Sequence, residues 1–244
     1  MNCYKITFFP IIAIEDEEET VSLLWDYLGC LYKNGQILKD FLLVKSESTY
    51  IATVTLPEDN SLDNKYNNTY VLKYLDELEQ VFSIQRELFG EDQNVQKSCT
   101  CEEPPAWYML YSDWSAEESP VVCGRCGKSV PLYKLPYILN EEEHHGVLGW
   151  KEAYRNIDRL WMYCLSDRFT YRQMNNIQSQ LSQDGREICR AFENTTGIPF
   201  YYYLFHYKKT PPVCPDCGGD WQLSDGKSFI DYKCEKCRLV ADKV

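Results

Sequence analysis

Histidine is scarce in this 244-residue chain, which contains only His144, His145 and His206. Histidine is the side chain that most often moves protons in catalysis near neutral pH. The sequence also lacks the patterns of common catalytic and nucleotide sites, namely G-x-S-x-G, the P-loop, the dinucleotide-binding glycine run and H-E-x-x-H. Together these absences predict that the protein is not an enzyme.

Basic residues are also in short supply. The chain carries 25 Lys and Arg against 37 Asp and Glu, a formal net charge of −12, and residues 1–98 hold 8 of the former and 17 of the latter, a net charge of −9. A protein that wraps duplex DNA needs the opposite balance. The acidic surplus favours solubility or a basic protein partner, such as a toxin with a basic groove. The candidate partner-binding residues are Glu17, Glu18, Glu19, Asp76 and Glu77.

Long hydrophobic runs are missing as well. No stretch approaches the roughly 20 apolar residues of a membrane span, and the opening MNCYKITFFPIIAIEDEEE has one lysine and leads into acids instead of a cleavage site. We therefore expect a cytoplasmic protein without a membrane partner. In that compartment, twelve cysteines indicate metal ligands or free thiols before disulfides.

What the sequence does contain is cysteine in pairs. Cys214, Cys217, Cys234 and Cys237 form C-x2-C-x16-C-x2-C. Each C-x-x-C supplies a tight turn with two thiolates, and two such turns complete a tetrahedral zinc site. The surrounding CPDCGGDWQL and SFIDYKCEKC segments read as turns that lead into and out of strands, which predicts a zinc ribbon.

A second and looser set is formed by Cys99, Cys101, Cys123 and Cys126. CGRCGK resembles a zinc-binding turn, whereas C-x-C gives a different turn, so His144 or His145 is the substitute if one cysteine is not a ligand. With four protein ligands at each site, no coordination position stays open for a substrate. We therefore predict two structural zinc ions. Of the other cysteines, Cys30 and Cys164 are expected to be small buried apolar residues.

The pattern of apolar residues predicts an α+β fold. A strand at 4–14, a helix at 16–35 that ends at Asn34-Gly35, a hairpin at 40–56, a helix at 69–90 and a strand at 107–112 give the order βαββαβ, which is typical of a ferredoxin-like sandwich. Further helices are expected around 147–164 and 184–194, and a strand is expected within 198–207. The predicted organisation is an acidic α/β domain over 1–98, to which strand 107–112 could also belong, a first zinc element over 99–140, a helical region over 141–210 and the ribbon over 211–244.

Three segments together resemble a family of uncharacterised bacterial zinc-ribbon proteins to which nucleic-acid binding has been attributed. They are CGRCGKSVPLYKLP, GIPFYYYLFHY and CPDCGGDWQL…DYKCEKCRLV. The resemblance implies a nucleic-acid-binding ribbon. Proteins of this type also stand beside secreted toxins as immunity proteins, which implies an inhibitor of a toxin.

Two kinds of macromolecular partner therefore stay open, and a protein is the preferred one. For nucleic acid, the candidate residues lie along the predicted helix and just beyond it, and Tyr201–Tyr203 could stack on bases. Charge pairing with neighbouring acids is the alternative explanation for these cations. The residues are Lys151, Arg155, Arg159, Arg168 and Arg172.

Overall fold

The computed structural model describes residues 1–38, 41–207, 209–223 and 229–243. It shows a mixed α+β chain with two separate sheets. No helix in this described part of the chain combines the length and the apolar character that a membrane span requires.

The first sheet is built from residues 2–91. Along the chain run β1 (Asn2–Pro10), α1 (Glu17–Lys33), β2 (Leu42–Ser46), β3 (Thr49–Leu56), α2 (Thr69–Glu79) and β4 (Phe82–Glu91). The strands lie in the order β2-β3-β1-β4, and every neighbouring pair is antiparallel. Ile6 and Phe8 of β1 pack with Leu24, Leu28 and Leu31 of α1 in one apolar core.

Helix α1 begins and ends where the sequence predicts. The Asp16 side chain accepts a hydrogen bond from the Glu19 amide, so it satisfies one of the free N–H groups of the first turn. Acids in that turn also suit the positive end of the helix dipole. At the other end Asn34 caps the helix, and Gly35 takes a φ of 79°, which favours glycine.

The predicted helix over 69–90 is wrong in its second half. Helix α2 ends at Glu79, and residues 82–91 form β4 instead. Leucines at helical spacing reach only Leu78, and from Phe82 onward the residues that face the core, Phe82 and Ile84, alternate with exposed ones. Pairing of β4 along nearly all of β1 overrides the local helical propensity.

The second sheet joins segments from residues 108 to 241. Its strands are β5 (Tyr108–Leu110), β6 (Val121–Cys123), β7 (Phe200–Tyr203), β8 (Tyr232–Cys234) and β9 (Leu239–Ala241), in the order β6-β5-β7-β9-β8. The three inner strands are parallel, and the two edge strands are antiparallel to their neighbours. The predicted strand at 107–112 therefore lies in this sheet and not in the first.

Three helices accompany the second sheet: α3 (His145–Met162), α4 (Asp167–Asn175) and α5 (Gln180–Thr196). Trp150 and Tyr154 of α3 and Phe192 of α5 share a core with Tyr108, Phe200 and Tyr202 of the strands. Gly185 lets α5 approach this core, because a Cβ there would lie 2.3 Å from the Tyr202 ring. Helix α4 connects α3 to α5 and was not predicted from the sequence.

Polar contacts join the two halves. The Tyr137 hydroxyl donates to Asn34 Oδ1 at 2.6 Å, and the His144 amide donates to the Lys33 carbonyl at 2.9 Å. Lys134 pairs with Glu58 at 2.6 Å. The C-terminal end of α1 and the loop after β3 therefore contact the segment that precedes α3.

Candidate metal centres

Both predicted groups of four cysteines come together. In each group the four sulfur atoms lie within 4.8 Å of one another. None of these cysteines forms a disulfide, and Cys217 Sγ lies 3.7 Å from Cys234 Sγ. Four sulfurs around a zinc ion at about 2.3 Å would be separated by about 3.8 Å, against about 2.05 Å in a disulfide. The spacing therefore fits a metal ion between the thiols.

Two of the turns that carry the ligands are the same structure. In the turn from Cys123 to Lys128, the Cys123 amide donates to the carbonyl five residues later, and the Gly127 amide donates back to Cys123. The turn from Cys214 to Gly219 repeats both bonds, at 2.8 and 2.9 Å. Gly127 and Gly218 occupy the fifth position with φ of 69° and 71°, a conformation that glycine adopts without steric cost.

The third turn, from Cys234 to Arg238, places an arginine where the other two have glycine. Arg238 has a φ of 53°, which costs free energy for a residue with a Cβ. Its guanidinium lies 2.9–3.2 Å from both carboxylate oxygens of Glu193 on α5. The same guanidinium stacks 5.4 Å from the Tyr201 ring centre. These contacts hold the turn against α5.

The two cysteine groups lie at opposite edges of the second sheet. Cys123 ends β6 and Cys234 ends β8, and these are the two edge strands. Cys123 and Cys234 are buried, and both belong to the core that α3 and α5 form with the sheet. Each group therefore connects an exposed turn to the core at an edge strand of the sheet, where single bridges, Val122 to Ser129 and Tyr232 to Gln222, are the further pairing.

The environment of Cys217 favours the thiolate that a metal needs. A hydrogen bond from the Gly219 backbone and another with Cys237 lower the pKa of Cys217 to about 7. The pKa of Cys126 is also lowered: burial would raise it, but the Lys128 amide and the neighbouring thiols outweigh that effect. Thiolate, not thiol, is the metal ligand.

Neither group recruits a histidine among the described residues. His144 is buried beside Tyr137, with 4.8 Å between the ring centres, and His145 begins α3. Outside the two groups, Cys30 is buried as predicted, whereas Cys164 is exposed. The prediction for Cys164 is wrong because α3 ends at Met162, so the apolar stripe of that helix does not reach it.

Two of the five predicted nucleic-acid contacts are inside the protein. Lys151 and Arg155 are 1% and 2% exposed. Lys151 Nζ donates to the Glu117 carbonyl at 2.7 Å, and Arg155 pairs with Glu117 and Glu152. Burial lowers the pKa of Lys151 to about 8. Tyr201–Tyr203, predicted as stacking surfaces, are buried strand residues. These residues are thus removed from any phosphate-binding surface.

The other three arginines lie around an exposed reversal between α3 and α4. We call residues 159–172 the α3–α4 apex. Arg159 donates from Nε to the Trp114 carbonyl at 3.2 Å. Arg168 and Arg172 are exposed and form no ion pair with any residue that the structure describes. Five large apolar side chains of the apex are 41–77% exposed: Leu160, Met162, Tyr163, Leu165 and Phe169.

Helical spacing alone does not reveal this surface. The helical stripe of α3 runs through Val147, Trp150 and Tyr154, and the helix ends at Met162. Leu160 and Met162 fall on opposite sides of that stripe, so they do not form a second apolar face in the sequence pattern.

The acidic candidates are all exposed on the helices of the first half. Glu17, Glu18 and Glu19 form the first turn of α1, and Glu17 pairs with Lys45 at 2.8 Å. Asp76 and Glu77 lie on α2. Their role in binding a partner stays a prediction.

Comparison with known proteins places the chain among uncharacterised bacterial proteins. An uncharacterized protein of Haemophilus influenzae is 30% identical over 258 aligned positions, which cover 97% of this chain and 96% of that protein. The chain belongs to the same family as this protein. A second uncharacterized H. influenzae protein is 31% identical and covers 64% of this chain and 80% of its own length.

Three family models match successive parts of the chain. Each is described as a domain of unknown function: DUF8589 over residues 3–89, DUF2310 over 102–205 and DUF8594 over 204–243. These descriptions support membership of an uncharacterised family and name neither a zinc ribbon nor a nucleic acid.

Solved structures resemble a smaller part of the chain. SnoaB, a cofactor-independent oxygenase from Streptomyces nogalater, is 12% identical and covers 37% of this chain and 92% of its own, with a TM-score of 0.31. A conserved protein of unknown function from Bacteroides thetaiotaomicron, described as a possible oxidoreductase, is 11% identical and covers 37% and 98%, with a TM-score of 0.30.

The prediction that the chain is not an enzyme does not stand. That prediction relied on missing nucleophile, nucleotide and metalloprotease motifs. A cofactor-independent oxygenase is outside the reaction classes that those motifs report, so their absence does not exclude enzymes of every class.

Proposed function

We propose that each cysteine group holds one structural zinc ion. Four soft thiolates close the tetrahedral coordination that zinc prefers, and no position is left for water or substrate. The ion would tie an edge strand of the second sheet to the turn beside it. Elemental analysis should find two zinc per chain, and Cys126→Ser or Cys217→Ser should each lower that number by one. One zinc in the unaltered protein would contradict the proposal.

We also propose a ferredoxin-like sandwich for the first half and a zinc ribbon for the C-terminal segment. The βαββαβ order of residues 2–91 and the strand order β2-β3-β1-β4 support the first. The two turns at Cys214 and Cys234, joined through the bridge between Gln222 and Tyr232 and the β8–β9 pair, support the second. An experimental structure of the zinc-loaded protein tests both.

We propose that the protein binds a protein partner, and that the α3–α4 apex is the surface that binds it. The observation that carries this proposal is the exposure of five large apolar side chains within ten residues. Single exposed apolar residues are ordinary on protein surfaces, whereas several large ones concentrated in one short reversal of the chain favour an interaction site.

The backbone of the apex is hydrogen-bonded within the chain itself. The amides of Tyr163, Cys164 and Leu165 donate to carbonyls of the last turn of α3 at 2.9–3.0 Å, and the amide of Phe169 donates to Ser166 at 2.8 Å. Cys164 and Ser166 both have a φ of 56°, so the chain reverses sharply between the helices. A surface held this way loses little conformational entropy on binding.

The composition of the apex favours a protein over a nucleic acid. Aromatic residues, Met and Arg are enriched at the centres of protein interfaces, where Lys and Glu are depleted. Residues 159–172 contain three Arg, one Met and three exposed or half-buried aromatics besides Trp161, with Asp167 as the single acid and no Lys. Its aliphatic members, Leu160 and Leu165, have no role in base stacking.

Comparative affinity capture tests this proposal. The unaltered chain, a Leu165→Ser/Phe169→Ser variant and a Leu72→Ser/Leu88→Ser control would be used as bait in lysate of the source bacterium. The control removes two similarly exposed leucines of the first half. We expect a partner that the apex variant loses and the control keeps. A set of captured proteins that is identical for all three baits would overturn the proposal.

Single-stranded nucleic acid is the second candidate, favoured by Arg159, Arg168 and Arg172 beside Tyr163 and Phe169. Titration with single-stranded RNA at several salt concentrations tests it, because phosphate contacts weaken steeply with salt. Binding that disappears in Arg168→Glu/Arg172→Glu would support this candidate.

An immunity-type role remains a third proposal, supported by the exposed acids of α1 and α2. It requires a basic toxin as partner. Tight binding of the product of a neighbouring toxin gene, lost on reversal of Glu18 and Glu19 to lysine, would support it.

A further inference from the structure

The surface that complements the apex lies on the first half of the same chain. Residues 9–19 combine exposed apolar side chains with a run of acids, whereas the apex combines exposed apolar side chains with arginines. We infer that the apex binds residues 9–19 of a second copy of this chain. The inference rests on the proposed role of the apex as a protein-binding surface and names its partner.

The apex offers cations that form no ion pair with the part of the chain that the structure describes. The protein has 12 more acids than Lys and Arg, yet Arg168 and Arg172 pair with no carboxylate among the described residues. They flank Phe169 on the exposed side of α4. A complementary surface therefore needs carboxylates around an apolar contact.

Residues 9–19 have that arrangement. Phe9, Ile11 and Ile12 are 39–58% exposed, and every residue from Glu15 to Glu19 is exposed. Asp16 caps α1 and Glu17 pairs with Lys45. Glu15, Glu18 and Glu19 form no ion pair with the described residues. The segment carries five acids and no base, while the apex carries three arginines and one acid.

Within a single chain, the described residues do not show the apex bound to residues 9–19. No hydrogen bond or ion pair among the described residues joins the apex to residues 9–19. A second copy supplies both surfaces. Two copies related by a two-fold axis would exchange the contact twice, and otherwise the copies would associate head to tail.

The net charge of −12 opposes association of identical chains. Whether two copies associate therefore depends on how far this repulsion reaches compared with the attraction within the contact. At physiological ionic strength the Debye length is about 8 Å, which screens charges on distant surfaces. Groups that meet in the contact are screened less. The attraction between the apex and residues 9–19 therefore acts at the short distances where the overall repulsion has largely decayed.

Sedimentation velocity of the zinc-loaded full-length chain tests the inference, with four variants. Arg168→Glu/Arg172→Glu reverses the apex, and Glu15→Lys/Glu18→Lys reverses the segment. A third variant carries all four changes. Asp76→Lys/Glu77→Lys reverses two equally exposed acids on α2 and serves as the control. Circular dichroism and zinc content would show that each variant is folded.

The unaltered chain and the control should self-associate in a concentration-dependent way. Each two-residue reversal should weaken association by about tenfold or more. Mixing the two reversed proteins should restore association, because the acidic apex of one then meets the basic segment of the other and the arginine apex meets the acidic segment. The four-residue variant should regain association by itself, because its apex is acidic and its segment is basic.

Other outcomes overturn the inference. The chain could be monomeric at every concentration and still bind another protein through its apex. That result would show that the partner is a different protein, and the proposed function would stand. Association that survives both reversals would place the contact elsewhere. Association that only the apex reversal weakens, without recovery in the four-residue variant, would assign the apex a different surface of the second copy.

Discussion

The two halves of this protein hold their sheets together by different means. In the first sheet, β1 pairs with β4 along its full nine residues, and two helices bury one face. The strands of the second sheet are three or four residues long. Its edges end in the two cysteine groups.

The difference shows what metal would contribute to such a fold. Long paired strands supply many backbone hydrogen bonds and a broad apolar face, so a small sheet becomes stable when helices cover it. Three-residue strands supply few of either. A closed metal site stabilises the folded state directly, because it does not exist in the unfolded chain. The first half should therefore be independent of metal and the second half dependent on it.

Removal of metal should have the largest effect. In Cys214→Ser protein treated with a chelator, hydrogen exchange should increase strongly in residues 108–241 and little in residues 2–91. The loss should be on the order of 10 kcal/mol per site, the scale of zinc binding to small zinc domains. The control is Cys164→Ser protein without chelator, because this exposed cysteine lies outside both groups and its replacement should leave metal binding unchanged. An equal increase in hydrogen exchange in both halves would contradict the view that only the second half depends on metal.

A cavity in the core of residues 2–91 should destabilise the first half and leave the metal sites of the second half unchanged. Phe8 is fully buried, and its ring meets those of Tyr27 and Phe82 edge to face. Phe8→Ala should lower the free energy of unfolding by about 3–5 kcal/mol, measured by urea denaturation, while zinc content stays unchanged. Its neighbour Phe9 is 39% exposed, so Phe9→Ala should change stability by about 0.5 kcal/mol or less. Loss of zinc from Phe8→Ala would show that the halves are coupled.

Acid should weaken the second half selectively. Burial lowers the pKa of His144 and of His206 to about 4, below the value of about 6.5 for an unfolded histidine. The unfolded chain therefore binds more protons between pH 6.5 and 4, so stability falls as pH falls through that window. His206→Phe should flatten the dependence of stability on pH, with bound zinc measured in parallel. An unchanged pH profile at constant zinc content would contradict this assignment.

The smallest effect should come from a glycine in a ligand turn. Gly218 has a φ of 71° and open space where a Cβ would lie, so Gly218→Ala adds backbone strain without a clash. The expected cost is about 1–2 kcal/mol. Gly149 is exposed within α3 and also has open space around it, so Gly149→Ala should stabilise by up to about 1 kcal/mol. Thermal denaturation of the two variants compares them, and shifts of the same sign would contradict the argument.

Local signals were sufficient for several elements. Helix α1 followed from its acidic first turn and Asn34-Gly35, and the hairpin of β2 and β3 followed from alternating apolar residues. Signals of this kind act over a few residues, so sequence spacing captures them. The region after Gln80 shows their limit, because Phe82 and Leu88 satisfied a helical pattern until pairing with β1 decided for a strand.

Burial of charge lay beyond such signals. Lys151, Arg155 and Arg159 are four residues apart and look alike in sequence. The first two are buried against Glu117, which gives them hydrogen-bond and ion-pair partners, whereas Arg159 donates to the Trp114 carbonyl and stays exposed. A buried cation is tolerated when partners replace its water, and those partners come from residues more than thirty positions away.

By itself, the sequence determined that eight cysteines would form two groups of four, because the short C-x-x-C and C-x-C turns, two of them followed by glycine, are local properties of the backbone. Tertiary structure decided where those groups lie, at opposite edges of one sheet made from segments far apart in the chain. It also decided which apolar residues would stay exposed at the apex, since exposure depends on whether another element arrives to cover them.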